Sequence, residues 1–571
     1  FASYIRLLIA KNRIGKEISS WTSFLKGLDF FENMTRRDII EYFLNSNIND
    51  CINGNERTRY LLACSTMLDD SLQTEREVLR ILDFTGSKYV VIPIFKCNSW
   101  DLITDYQENI INEVPLYLCG KTEYVNFCKA KCSDGNFNII FVNHPCFSQK
   151  EAIYTYTQNE QNQNPEFIKG HGHKDSLFMN TIFAKAVCEY GKFVASFDLP
   201  SIIHCQDAST AIIPAFIKQN PIYSSTKSVV TIHNAGPAYH HNFSSIGEAA
   251  WYTNLPTDLL SGSLNNYKVE PFLISSSCGA YLSTVSVEYA NELKNPKYFE
   301  QTEGLSQIFY NRNTQIKGIT NGIEFDRYNP QKKECSHLPF EYSPQEGILD
   351  GKYKCREHFI NELLQNKSFE GITTYGKIDS DFQSDGIFIS YHGRITSQKG
   401  IELLINAIPV ILENFSNVKF FIAGQGEVSL ENKLIELCSL YPNQVLFFNG
   451  YNKYVARIVN AVCDFIVLPS YFEPCGLEDF ISQIYGTIPI AHATGGLNKI
   501  VDNKSGFLYK TNSKGHLIAK LSEVITLKIC KPNEISKMIK FASKYVQENY
   551  DWSSVIKNEY LTFFEEILKK M

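Results

Sequence analysis

What this sequence lacks narrows its function first. Nowhere in the 571 residues is there a run of about 18 apolar residues, which argues against a membrane-spanning helix. The charges nearly balance, 55 basic against 61 acidic for a net charge of -6, so no general basic field is available for nucleic acid or an anionic membrane. Any phosphate binding must therefore be local. The 16 cysteines are scattered without a disulfide rhythm, and the nearest pair, Cys128 and Cys132, has no second pair at zinc-ligand spacing. Free thiols in a reducing compartment are the expectation. No Gly-x-Gly-x-x-Gly follows a strand, which weakens the case for an NAD-type dehydrogenase. His171 and His173 (KGHGHK) have no carboxylate or cysteine at ligand spacing, and Asp379-Ser380-Asp381 sits in a Ser/Asp/Gln-rich run, so both are read as solvated loops rather than metal sites.

What is present is a large α/β pattern. At 44% apolar and 20% charged residues the chain can bury large cores, and its length implies two or three domains. Residues 1–55 read as helices, with Tyr4, Ile5, Leu8 and Ile9 and then Phe24, Leu25, Leu28 and Phe31 at helical spacing. From Arg59 strands and helices alternate: strands at Tyr60–Met67, Tyr89–Phe95, Ile139–Pro145, Ile202–Asp207 and Val229–Asn234, and helices at Leu72–Leu82 and Asp175–Glu189. The polar run from Thr157 to Lys174 reads as a surface loop, and residues 331–385 as a polar connection carrying a helix at Tyr353–Leu364. A second sheet opens at Ile387–Tyr391 and continues with buried strands at Val418–Gly424, Val445–Gly450, Phe465–Leu468 and Ile488–Ala491.

The chemistry sits at the strand ends. After Tyr391 comes Gly393-Arg394-Ile395-Thr396-Ser397-Gln398-Lys399-Gly400, then an amphipathic helix with Leu403, Leu404, Ala407, Ile408 and Ile411. Strand, glycine-bounded loop and helix make a phosphate-site geometry, and Arg394 can fork two oxygens while Lys399 supplies a point charge. The stretch Pro469–Leu497, PSYFEPCGLEDFISQIYGTIPIAHATGGL, turns at Pro474-Cys475-Gly476 before another helix. That turn places Glu473 and the amides of Gly476 and Leu477 at a helix N-terminus, a seat for an anion with a carboxylate beside it, and a phosphorylated sugar has both parts. A second turn, Thr494-Gly495-Gly496, follows the next strand, so two anion-compatible loops arrive one strand apart. His233 ends the VVTIHN strand, where α/β sheets present ligands; a turn histidine satisfied by a neighbouring backbone group is the other reading.

FEPCGL, YGT.PI and TGGL, in this order and spacing, resemble the bacterial glycogen synthases and plant starch synthases. The full Arg-x-x-x-Gln-Lys-Gly match at Arg394–Gly400, the His233-Asn234 pair, and the segments LSTVSVEYANEL and KGITNGIEFDRYNP extend the resemblance over about Arg59 to Met571. It implies an α/β fold of two Rossmann-like domains facing a cleft (GT-B type), with residues 1–55 as a helical extension, 56–325 as the acceptor-side domain, 326–545 as the nucleotide-sugar domain and 546–571 as a helix crossing back.

The implied activity is glucosyl transfer with retention, from ADP- or UDP-glucose to the 4-hydroxyl at the non-reducing end of an α-1,4-glucan. In that reading Arg394 and Lys399 hold the leaving diphosphate, and Glu473 binds sugar hydroxyls. His233 and Asp207 position the reacting groups. Gly393, Tyr451, Cys475, Gly476, Leu477, Thr494, Gly495 and Gly496 line the nucleotide-sugar site, with Tyr451 against the nucleobase. A capped core tyrosine is the alternative for Tyr451. The nucleotide sugar is a substrate, no cofactor or metal is required, and neither nucleic acid nor membrane is a partner. A cytoplasmic location is expected, or a plastid if a targeting segment has been removed ahead of Phe1.

The sequence also departs from the family. Leu68-Asp69-Asp70-Ser71-Leu72-Gln73 stands where the family has Lys-Thr-Gly-Gly-Leu. Asn143 replaces an acid, Ser176 and Met179 replace Asn and Arg, Ala208 replaces a tryptophan, Ile274 replaces a lysine, and the acidic pair Glu478-Asp479 replaces neutral residues. These changes support a rival reading, a weak or inactive transferase scaffold that binds glucan or regulates.

Overall fold

Strands buried on both faces must be apolar along their whole length, and that is how the strongest strands of this chain read. The computed structural model describes residues 60–63, 89–96, 103–132, 138–193, 199–237, 239–382 and 384–569. The expected helices in 1–55 and at Leu72–Leu82, and the Leu68–Gln73 loop, lie outside the described residues. The chain divides into two units, one of Phe1–Val230, His241–Ala280 and Phe564–Met571, the other of Thr231–His240 and Tyr281–Phe563.

In the first unit the strands are β1 (Tyr60–Ala63), β2 (Tyr89–Pro93), β3 (Ile103–Leu118), β4 (Lys121–Cys132), β5 (Asn138–Asn143), β6 (Ile202–Gln206) and β7 (Lys227–Ile232), in the order β7-β6-β1-β2-β5-β4-β3. β1, β2, β5 and β6 run parallel, and the long β3–β4 hairpin is added antiparallel at one edge. That hairpin is absent from the strand pattern expected above. β3 takes left-handed backbone at Asp105, Asn109 and Glu113 (φ 52, 50 and 52°) and shifts register between pairs, so each bulge resets the in–out alternation that would have marked a strand. Bulges along an exposed edge also blunt it against pairing with other chains. A small hairpin, β8 (Leu264–Asn265) with β9 (Lys268–Val269), lies in the same unit.

The expected loop from Thr157 to Lys174 is corrected in two places. Thr157 and Glu160 form a reciprocal capping box that starts a short helix, Gln158–Gln163. His173 is buried rather than solvated, edge-on to Tyr156 at 4.7 Å with Nε2 2.9 Å from the Ala152 carbonyl.

The second unit holds the tip of β7, β10 (Tyr281–Thr284), β11 (Ile316–Gly318), and a sheet of β12 (Ile372–Tyr375), β13 (Ile387–His392), β14 (Val418–Gly424), β15 (Val445–Gly450), β16 (Phe465–Leu468), β17 (Ile488–His492) and β18 (Phe507–Tyr509). Its order is β12-β15-β14-β13-β16-β17-β18, parallel except for β12. The chain steps outward from β13 through β14 to β15, then returns to the other side of β13 with β16. This reversal leaves a crevice at the carboxyl ends of β13 and β16, where open α/β sheets take ligands.

Helix Ile401–Asn414 packs Leu404, Ala407, Ile408 and Ile411 on one face of that sheet together with Phe420, Ile422, Phe465 and Val467. Ile408 is fully buried there. Ile408→Ala should therefore cost about 3 kcal/mol of stability in urea unfolding. A loss below about 1 kcal/mol would mean that this helix does not seat on the sheet as described.

Candidate functional site

Three loops of the second unit converge at the crevice: Gly393–Gly400 after β13, Pro469–Leu477 after β16 and Ala493–Lys499 after β17. Backbone contacts lock them together. Tyr471 N–H donates to the Gln398 carbonyl (2.9 Å), Gln398 Nε2 to the Phe472 carbonyl (3.2 Å), and Gly496 N–H to the Glu473 carbonyl (2.8 Å). At Gly400, with φ 67°, a Cβ would lie 1.9 Å from the Pro469 carbonyl oxygen, so only glycine lets the first two loops approach this closely.

Lys399 and Glu473, 74 residues apart, meet here. Lys399 Nζ lies 2.6 Å from Glu473 Oε2, and Ser470 Oγ donates to the same oxygen at 3.1 Å. Both side chains are mostly covered, 22% and 12% exposed. Arg394 is different: it is exposed, its carbonyl accepts from the Tyr391 hydroxyl at 2.8 Å, and its guanidinium has no acceptor among the described residues. Gly393 takes φ 149° at the start of this loop, and a Cβ on Gly424 of the neighbouring strand would lie 1.9 Å from the Gly393 carbonyl oxygen.

The two turns are not equivalent anion seats, which corrects the sequence expectation. In the first, the amides of Cys475, Gly476 and Leu477 meet no protein acceptor among the described residues, and Gly476 has φ 76°. In the second, every amide is spent: Thr494 N–H on the His492 carbonyl (2.9 Å), Gly495 N–H on Glu292 Oε1 (2.8 Å), Gly496 on Glu473, and Leu497 on Thr494 (3.0 Å). A glycine pair after a strand signals close backbone approach, and here the approach is to protein: a Cβ on Gly495 would sit 2.0 Å from the Glu473 oxygen.

The acidic pair is neutralised by partners that the sequence did not reveal. Glu478 Oε2 lies 2.7 Å from His392 Nδ1 and accepts from Asn460 Nδ2 at 3.0 Å. Burial opposes both charges, but each outweighs it for the other, so the carboxyl is held below its ordinary range and the imidazole above. Asp479 is fully buried against Lys499 (2.9 Å), and burial pushes its carboxyl up to about 6 despite the ammonium. Lys499 Nζ also donates to the carbonyls of Cys475 (2.6 Å), Gly476 (2.9 Å) and Gly496 (3.1 Å), tying both turns to one cation.

Other expected residues fall as follows. Cys475 is buried, and its thiol is pushed up to about 11 by that burial, so its side chain packs in the protein while its amide belongs to the first turn. Tyr451 is 62% exposed, which removes the capped-core alternative. His233 follows β7, and burial pushes its imidazole down to about 4, leaving it neutral at pH 7. Two residues on, the Ala235 amide donates to the Tyr289 hydroxyl (2.8 Å), whose ring meets Phe472 edge-on at 5.4 Å, so the segment after His233 is joined through Tyr289 to the loop that carries Glu473. Asp207 is in the first unit, at the tip of β6, in left-handed backbone (φ 61°), a conformation that costs roughly 1 kcal/mol and clusters at functional positions. Ser286 and Glu292 were missed as contacts: Ser286 Oγ donates to the Pro474 carbonyl at 2.6 Å. Both lie in the LSTVSVEYANEL segment, the one signal that could have found them.

The starch synthase catalytic domain family matches residues 89–308, and the glycosyl transferases group 1 family matches 377–545. A glycogen synthase of Thermodesulfovibrio yellowstonii is 29% identical over 443 residues, covering 76% of this chain and 79% of that protein. A glycogen synthase of Myxococcus xanthus is 31% identical over 367 residues, 62% of this chain and 70% of that one. This chain belongs to the glycogen and starch synthase family. It is a glycosyltransferase. The catalytic domain of starch synthase IV from Arabidopsis thaliana, solved with ADP and acarbose, superposes with a TM-score of 0.71 at 20% identity over 90% of this chain and 99% of that one. Sucrose-phosphate synthase from Thermosynechococcus elongatus gives 0.51 at 14% identity, over 90% of this chain and 100% of that one. The fold is thus the GT-B type, two Rossmann-like domains.

Lys499→Met should leave a buried carboxylate unpaired and cost about 3 to 5 kcal/mol in urea unfolding. Adding Asp479→Leu should recover a large part of that loss, since the orphaned charge goes with it. If the double variant were no more stable than the single one, the ion pair would not be what holds the two turns together.

Proposed function

We propose that this glycosyltransferase moves glucose, with retention at the anomeric carbon, from ADP- or UDP-glucose to the 4-hydroxyl at the non-reducing end of an α-1,4-glucan. The observation that carries the reading is the Lys399–Glu473 pair at the β13/β16 crevice, beside an exposed guanidinium and three amides without protein acceptors. The glycogen synthase relatives and the ADP-bound starch synthase IV support it.

Breaking a sugar–diphosphate bond builds positive charge on the sugar ring and negative charge on the leaving group, so what accelerates it is fixed cations and dipoles aimed at the phosphate oxygens. In this reading an arriving diphosphate draws Lys399 away from Glu473. Arg394 forks a second pair of oxygens, and the amides of Gly476 and Leu477 donate to a third position. Glu473, released from its cation, accepts from the sugar hydroxyls. His233 is neutral at physiological pH and so acts as a hydrogen-bond partner for the glucosyl unit without adding charge beside the oxocarbenium-like carbon. Asp207 orients the incoming hydroxyl. The side-chain cations carry the electrostatic load, so the reaction needs no divalent metal.

Nucleoside diphosphate release, measured with each donor and glycogen as acceptor, tests this reading. Lys399→Ala should lower turnover ~100-fold or more, because one charged transition-state contact in a dry cleft is worth about 3 kcal/mol. Glu473→Gln should fold normally and raise the KM for the donor. Chelation with EDTA should leave the rate unchanged. Absence of diphosphate release from either donor, or full turnover in a folded Lys399→Ala protein, would overturn the assignment.

A further inference from the structure

In the second unit His233 and Glu473 are each held on both sides by one short stretch of chain, residues 284–292. Thr284 Oγ1, at the end of β10, donates at 2.6 Å to the carbonyl of Ile232, the residue before His233. The Tyr289 hydroxyl accepts the amide of Ala235, two residues after it, at 2.8 Å. Glu473 is flanked in the same way. Ser286 Oγ donates to the Pro474 carbonyl at 2.6 Å, and the Tyr289 ring meets the Phe472 ring edge-on at 5.4 Å. One step further out, Glu292 Oε1 accepts the Gly495 amide at 2.8 Å, and the next amide, Gly496, donates to the Glu473 carbonyl at 2.8 Å.

The local sequence leaves this stretch little freedom. Ser286 is the N-cap of helix Val287–Glu292, and its hydroxyl oxygen accepts from the Tyr289 amide at 3.1 Å while its proton goes to Pro474. Residues 286, 289 and 292 are three apart, so each lies beside the last on the helix surface. Thr284, Ser286, Tyr289 and Glu292 are all buried, from 0% to 5% exposed. Burial alone is served by aliphatic side chains, and a buried polar end that finds no partner costs stability. Here three of the four polar ends find theirs on backbone beside His233 or Glu473.

We propose that residues 284–292 are a positioning brace that fixes His233 and Glu473 relative to each other, Thr284 and Tyr289 setting the imidazole and Ser286 the carboxylate. The brace rests on the donor reading above, in which Glu473 takes the sugar hydroxyls and His233 the glucosyl unit. In that reading none of the three touches the donor; each acts through a residue that does. Their effects should therefore divide. A displaced His233 loses transition-state stabilisation and shows in kcat, whereas a displaced Glu473 weakens sugar binding and shows in the donor KM.

The test compares, in the full chain, Thr284→Val and Tyr289→Phe, which keep the side-chain shape and lose a hydroxyl, with Ser286→Ala. Diphosphate release should show kcat lowered about tenfold or more by each of the first two, with the donor KM within about twofold of the parent. Ser286→Ala should instead raise the donor KM about fivefold or more. A loss of stability alone, as in Ile408→Ala, should move neither constant in the folded protein. Constants within about twofold of the parent in all three folded variants, or the same change in kcat and KM in every one, would overturn the brace. The His233 ring signal, followed by NMR without ligand, should move in Thr284→Val and Tyr289→Phe. If the parent released no diphosphate from either donor, the donor reading would fail on its own, and the brace would be decided by that signal: displaced in both variants it stands, unmoved in both it falls.

Discussion

One contact organises the second unit around its ligand ends: an ammonium 2.6 Å from a carboxylate, contributed by Lys399 and Glu473 from two loops. As a stability element it is not decisive, since for a mostly covered pair the cost of desolvating both charges offsets much of their attraction. Its weight lies in position. The sheet order puts β13 next to β16, so the loops leaving those strands are neighbours although far apart in sequence. Each loop then brings one half of a charge pair that is balanced without a ligand and divisible by one. In the proposed reading a diphosphate claims the cation and a sugar the carboxylate, so that neither half is left uncompensated in a partly dry site.

A deeper layer keeps this pair in place. Lys499, 5% exposed, neutralises Asp479 and spends its remaining protons on carbonyls of both turns. Glu292 accepts the Gly495 amide, and burial pushes its carboxyl up to about 7 against the pull of that amide and of Tyr298. The Glu478–His392 pair does the same for the other acid. The acids that looked hostile to a diphosphate in the sequence are therefore each half of a neutral pair. What reaches the crevice is the surplus, Arg394 and the amides of the first turn.

Much of this was legible in the sequence, for identifiable reasons. Val418–Gly424, Val445–Gly450 and Phe465–Leu468 coincide with strands because buried parallel strands are predominantly apolar runs, the first two ending in glycine. Lys399 and Glu473 were readable because each sits at a strand-to-helix turn with a rare residue pattern. The β3–β4 hairpin was not, because its bulges erase the period of two. The helix at Gln158–Gln163 had a signal, Thr157 with Glu160 three positions on, but a polar helix of six residues has no apolar stripe to draw attention. The spent amides of Gly495 and Gly496 had none. Their acceptors lie elsewhere in the chain, and only a fold brings Glu292 to within 2.8 Å.

That last point changes what the glycines of this site are for. Gly400 presses on the Pro469 carbonyl, Gly495 on the Glu473 carbonyl and Gly496 on the Cys475 carbonyl, and a Cβ at any of them would lie 1.9 to 2.0 Å from the oxygen it meets. All three contacts fall on one segment, Pro469–Cys475, from both sides. Glycine is usually read as flexibility, yet three close backbone contacts leave the segment that carries Glu473 almost no room to move. The segment is therefore already packed into place in this ligand-free structure. Under the proposed mechanism that matters, because a loop that had to settle around its substrate would lose binding energy to its own immobilisation.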